Sequence, residues 1–117
     1  MAPRPTVVTV SCRPLAAHAR MTARSAVAAG LDAVVLDLDG SFPAAEGVRV
    51  LAPADAGLDE AVVRRETVRR GPADAAAGQG AAAAATVPGP VVVASPGLVL
   101  LAAPPAAEPF VLARTAA

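Results

Sequence analysis

The chain has 117 residues, 55% of them hydrophobic, and its ten arginines balance ten acids to give formal neutrality. That length allows one small domain or a piece of a larger fold, and neutrality with two aromatic residues, Phe42 and Phe110, excludes a basic, base-stacking nucleic-acid surface. A single cysteine, Cys12, excludes an internal disulfide and fits a reducing compartment, so the expected location is cytoplasmic.

The opening "MAPRPTVVTVSC" has too short an apolar stretch for a secretory leader. The stretch "TVVTVSC", residues 6–12, is rich in β-branched residues and preceded by proline, which predicts a strand. Pro14 then suits the first turn of a helix, where its missing N–H costs nothing. "LAAHARMTARSAVAA", residues 15–29, predicts that helix, with Gly30 placed for a left-handed C-cap and Leu15, Ala19, Ala26 and Ala29 on a sheet-facing side. "DAVVLDL" follows as a second strand. Its apolar run is continuous rather than alternating, as expected when both faces are covered. Strand, helix and strand with short loops predict a parallel βαβ unit.

After "SFPAAEG", the residues "VRVLA" (48–52) predict a third strand. "LDEAVVRRETVRRG" predicts a helix with acids early, arginines late and Gly71 past its end, the charge order that complements the helix dipole. Glu60–Arg64 and Glu66–Arg70 are spaced as i,i+4 pairs. The alanine- and glycine-rich residues 72–90 read as a loose helix ending near Val87 or as a linker. In the last third, "VVVAS", "LVLLAA" and "FVLAR" lack helical spacers, so antiparallel neighbours are expected. "PG" between the first two favours a type II turn. The apolar run containing that Pro96-Gly97 is too short and broken to span a bilayer, so no membrane partner is expected. The whole predicts a single small α/β domain with a mixed sheet, parallel first and antiparallel late, and helices packed on it.

The chemistry concentrates in "VVLDLDGSF". Asp37 and Asp39 end a parallel strand, where ligands of α/β proteins bind, and two carboxylates spaced i,i+2 offer oxygen ligands to a hard cation such as Mg²⁺. The structural alternative is that these acids merely close the strand. His18 has no second His or Cys at ligand spacing and reads as an ordinary helix histidine. Cys12 lacks a partner base and reads as a structural thiol. Arginines 64, 65, 69 and 70 read as a solvated helix face, and the glycines of "GQG" lack the context of a phosphate loop.

Residues 6–46, "TVVTVSCRP" through "AVAAGLDAVVLDLDGSFPAAE", are similar in order to the first strand–helix–strand of citrate-lyase-β and 2-keto-acid aldolase type barrel enzymes. That resemblance implies a Mg²⁺-dependent lyase site for a small carboxylate-bearing anion, with Arg13 near the substrate carboxylate and Asp37 and Asp39 near the cation. "VVLDLDGSF" also resembles haloacid dehalogenase-like hydrolases, which implies Asp37 as nucleophile, Asp39 as general acid/base, Mg²⁺ between them and Ser95 as the phosphoryl-contacting hydroxyl. A third likeness, to response-regulator receivers, rests on "VVLDLD" with Pro43 and Gly47. The order of elements favours the lyase reading. A non-catalytic scaffold whose late edge strands pair with a second copy stands as the alternative, consistent with a core built on Val, Leu and Ala.

Overall fold

The computed structural model describes residues 4–71, 79–80, 82–99 and 110–111. Strand β1 (Thr6–Ser11) leads through a 3-10 turn (Arg13–Leu15) into helix α1 (Ala16–Ala28), then β2 (Asp32–Asp37) and β3 (Val48–Leu51). A second 3-10 turn (Pro53–Ala56) precedes helix α2 (Glu60–Arg70), and β4 (Val91–Val93) and β5 (Phe110–Val111) complete the sheet. Among the described residues no helix is long and apolar enough to cross a membrane.

Among the described residues five strands lie in the order β3-β2-β1-β4-β5, and each pairing between them is parallel. The βαβ unit is therefore as expected, with Thr6 opposite Asp32 and Ser11 opposite Asp37. The antiparallel pairing expected for the late strands is corrected. Parallel neighbours need a connection of about a dozen residues or more. Residues 98–99 of the apolar "LVLLAA" are not strand, and its residues 100–103 lie outside the described residues. The predicted helix or linker of 72–90 is helical at 79–80 and 82–84, with Thr86 and Val87 donating back to Ala83 and Ala84. Residues 72–78 and 81 lie outside the described residues.

Alternate strand residues enter opposite faces, as the pleat requires. One cluster joins Val7, Ala33, Val35 and Val92 to Ala19, Ala23 and Ala26 of α1, with Phe42 and Leu31. The other joins Val8, Val10, Val34, Leu36 and Val91 to Leu51, Ala56 and Ala83. The continuous apolar run of β2 thus has the predicted cause: both faces are covered. Alanines at 19, 23 and 26 are fully buried, and their small side chains allow α1 to sit close to the sheet.

Helix ends, one i,i+4 pair and the Pro-Gly turn follow local signals. Gly30 and Leu31 donate to Val27 and Ala26, the paired bonds of a Schellman cap, with Leu31 buried beside Ala26. Asp59 caps α2 by accepting the N–H groups of Ala61 and Val62 at 2.8 and 3.3 Å. Glu66 and Arg70 form their i,i+4 ion pair at 3.1 Å. In the Ser95–Leu98 turn, the Leu98 N–H returns to the Ser95 carbonyl across Pro96-Gly97, as a type II turn does. Gly97 then donates to the Thr22 hydroxyl at 2.9 Å, fastening that turn to α1.

Candidate functional site

Strand β2 ends at Asp37, and the loop that leaves it holds Asp39, both at the carboxyl edge of the sheet. There a cleft of about 640 Å³ is lined by residues from the ends of β1, β2 and β3, the second 3-10 turn and α2. Its charged lining comprises Asp37, Asp39, Asp55, Glu60 and Arg64. Cys12, Leu51 and Val63 supply apolar wall. The two aspartates therefore share one opening, at the place where parallel sheets present ligands.

Each also has a local duty. Asp37 is buried, and its two oxygens accept the N–H groups of Gly40 at 3.1 Å and Phe42 at 3.2 Å. These bonds fold the loop after β2 back on the strand end and seat the Phe42 ring in the core. Asp39 is exposed. Its Oδ2 accepts the Arg13 N–H at 2.7 Å, and its Oδ1 accepts the Ser41 N–H at 3.2 Å and the Ser41 hydroxyl. Partial burial pushes the Asp39 carboxyl upward. The Ser41 hydroxyl, the Arg13 and Ser41 N–H groups and the Arg13 charge outweigh that push and hold it below the usual carboxylate range.

Of the predicted site residues, Arg13 meets Asp39 through its backbone, while its side chain is exposed and not part of the cleft lining. Ser95 lies in the turn against α1, with its carbonyl 3.5 Å from the Thr22 hydroxyl, and does not line the cleft. Cys12 is buried at the cleft wall. Burial is the main influence raising its thiol pKa, with Asp39 and Asp37 adding to it, while a backbone bond from Leu15 pulls the other way. His18 is exposed on α1 and does not line the cleft.

Sequence reasoning missed Asp55, Glu60 and Arg64. They come from the turn and helix after β3, and only the way that segment folds over the strand ends brings them to Asp37. Asp55 is partly committed, since it accepts the Ala52 N–H at 2.9 Å. Glu60 and Arg64, expected to pair, form no ion pair with each other, and both face the cleft. Among the described residues no group of three His, Cys, Asp or Glu side chains is placed to hold a metal ion together.

The donor set still suits one kind of cation. Mg²⁺ is commonly bound through one or two carboxylates, with water and substrate oxygens completing the shell. A carboxylate oxygen has two lone pairs, so both oxygens of Asp37 and Oδ2 of Asp39 keep acceptor capacity beyond their backbone bonds. The chain matches no family model, no curated protein and no solved structure.

Proposed function

We propose that the cleft at the carboxyl edge of β1, β2 and β3 binds Mg²⁺ together with a small carboxylate-bearing anion, as a lyase or aldolase-like site would. One observation carries this reading: among the described residues, four carboxylates and one guanidinium line one cleft at the strand ends. An anion alone is repelled by such a lining. A divalent cation reverses the local field and brings the anion with it. Asp37 and Asp39 would hold the cation, and their backbone bonds orient them before it arrives. Arg64 is the cation of the protein itself that reaches the cleft, and it would meet the second charge of the substrate. When bound, the metal would polarise the substrate carboxylate or carbonyl. The strand order is that of an open, doubly wound sheet, in which β4 pairs with β1, whereas a closed barrel places each strand beside the next. The proposal therefore concerns the site and not a barrel.

The test is a melting curve with Mg²⁺, with the dicarboxylate oxaloacetate, and with both. Mg²⁺ should raise Tm, the carboxylate should add to the rise only when Mg²⁺ is present, and Arg64→Gln should remove the second increment. No shift with Mg²⁺ overturns the proposal.

A second reading, a non-catalytic scaffold or oligomerisation module, draws on the local bonds of Asp37 and Asp39, which explain both residues without a ligand. β5 is an edge strand of the sheet, as that reading requires. A concentration-dependent dimer without any Mg²⁺ response supports it. The phosphohydrolase-like reading needs Ser95 beside the aspartates, and the position of Ser95 lends it no support.

A further inference from the structure

Helix α2 is short for its exposure. Among its described side chains Val63 alone is buried, while Val62 and Val68 are 49% and 82% exposed. A helix of this length is marginal in water and usually owes its stability to a packed apolar face. Ala61, Arg64, Arg65, Val68 and Arg69 line a shallow groove along it. Their spacing of i, i+3, i+4, i+7 and i+8 makes them one stripe. Arg70 is paired with Glu66 and Arg4 with Asp32, whereas Arg64, Arg65 and Arg69 form no ion pair among the described residues. The stripe is thus an apolar line, Ala61 to Val68, bordered by three guanidiniums that form no ion pair among the described residues.

We propose that this stripe docks an acidic amphipathic helix of another protein. Such a helix offers apolar side chains at one-turn spacing to Ala61 and Val68, and carboxylates on its flanks to the arginines, whose planar forks suit bidentate pairing. A second copy fits less well. A two-fold axis placed midway between Ala61 and Val68 would bring Arg64 and Arg65 against their own mates at its centre. Nucleic acid would use the arginines and leave Val68 facing a charged backbone.

The probe is a labelled synthetic helix with leucines at i, i+3 and i+7 and glutamates alongside, titrated with the full chain by fluorescence anisotropy. Arg64 and Val68 also line the cleft, so the protein variant that leaves the cleft lining intact is Arg65→Glu with Arg69→Glu, and Val68→Ser is compared with it. Saturable binding should weaken about tenfold or more in each. Replacing the peptide's glutamates by glutamine, or its leucines by serine, should have the same effect without touching the protein's fold. Absence of saturable binding overturns the proposal. So does equal affinity for the leucine-to-serine peptide, which would mean charge attraction alone. Tighter binding of a short DNA duplex, or a dimer that dissociates in Val68→Ser, assigns the stripe to another occupant and overturns it as well.

Discussion

The Asp39 carboxylate accepts the backbone N–H of Arg13 at 2.7 Å, so the loop after β2 caps the chain where it leaves β1. In doubly wound sheets the helix start after the first strand commonly receives a ligand's phosphate. Here the protein's own carboxylate fills that position. An anion entering the cleft cannot use that N–H group without displacing Asp39, which is why the proposed site relies on a cation and on Arg64 instead. The bond also makes a stability prediction. Asp39→Ala should lower unfolding free energy by about 1 kcal/mol, the usual loss for a capping side chain, and Asp39→Asn by less, because an amide oxygen still accepts. Urea denaturation measures both, and an alanine variant as stable as wild type would show that the bond contributes nothing.

The same contacts set a pH dependence. The Asp39 carboxyl is held below its ordinary value of 3.8 in the folded protein. The unfolded chain therefore binds the proton first as pH falls, and stability declines with it. The contribution is complete above the unfolded value and disappears as pH drops through the lower, folded one. Asp39→Asn should flatten the acid limb of the stability curve below about pH 4 and leave neutral pH slopes unchanged. An identical acid limb in the variant counts against the assignment.

Asp37→Ala should cost more than Asp39→Ala. It strips acceptors from Gly40 and from Phe42, whose N–H is buried, and a buried donor left without a partner costs about 1–3 kcal/mol. Phe42 should also lose its fixed position, since the Asp37 bond anchors the loop that carries it. The comparison separates the two aspartates by burial: thermal denaturation should rank Asp37→Ala below Asp39→Ala. The reverse order would mean that the loop is held chiefly by the Asp39–Arg13 link.

Much of this arrangement was legible in the residues and part was not. The βαβ unit could be read because β-branched runs, Pro14 and Gly30 each bias the backbone locally, and those local biases agree with the fold. The position of Asp37 and Asp39 at a strand end follows from the same reading. Their backbone partners do not, because the reach of Asp39 to Arg13 depends on the distance between two loops that only strand pairing sets. The pairing sense of the late strands is not legible for a related reason. "LVLLAA" has the composition of a strand, yet Leu98 and Val99 are spent in the passage out of the Ser95–Leu98 turn, and the pairing of β4 depends on the vacant edge of β1. Asp55, Glu60 and Arg64 carry no motif at all, since a cleft assembled from a turn and a helix leaves no fixed spacing in the chain.

Cys12 makes a separate prediction. Its side chain is buried and its thiol is harder to ionise than a free one, mainly through burial. Alkylation at neutral pH should therefore be slow in the native state and should accelerate with denaturant in step with unfolding. The sign for stability is opposite to that of Asp39: the contribution is present below the unfolded thiol value and is lost as pH rises through the folded one. Fast, stoichiometric labelling of the native protein at neutral pH would show that the thiol is open to the cleft.

Gly47 offers a test of packing between the loop before β3 and helix α1. Its φ is +77°, and a Cβ there would lie 3.2 Å from Cγ1 and 3.5 Å from Cγ2 of Val27. Gly40 has nearly the same φ, +75°, with open space where its Cβ would be. Gly40→Ala should thus incur only the left-handed backbone cost, about 1–2 kcal/mol, and Gly47→Ala that cost plus the crowding of Val27. Adding Val27→Ala to Gly47→Ala should recover the difference, since the cycle isolates a contact between neighbours. If both alanine variants lose the same stability, Val27 yields freely and the loop is not wedged against α1. If Gly47→Ala loses more and Val27→Ala restores it, the close approach of that loop to the helix is part of what holds β3 on the sheet, and with β3 the wall of the cleft formed by Val50 and Leu51.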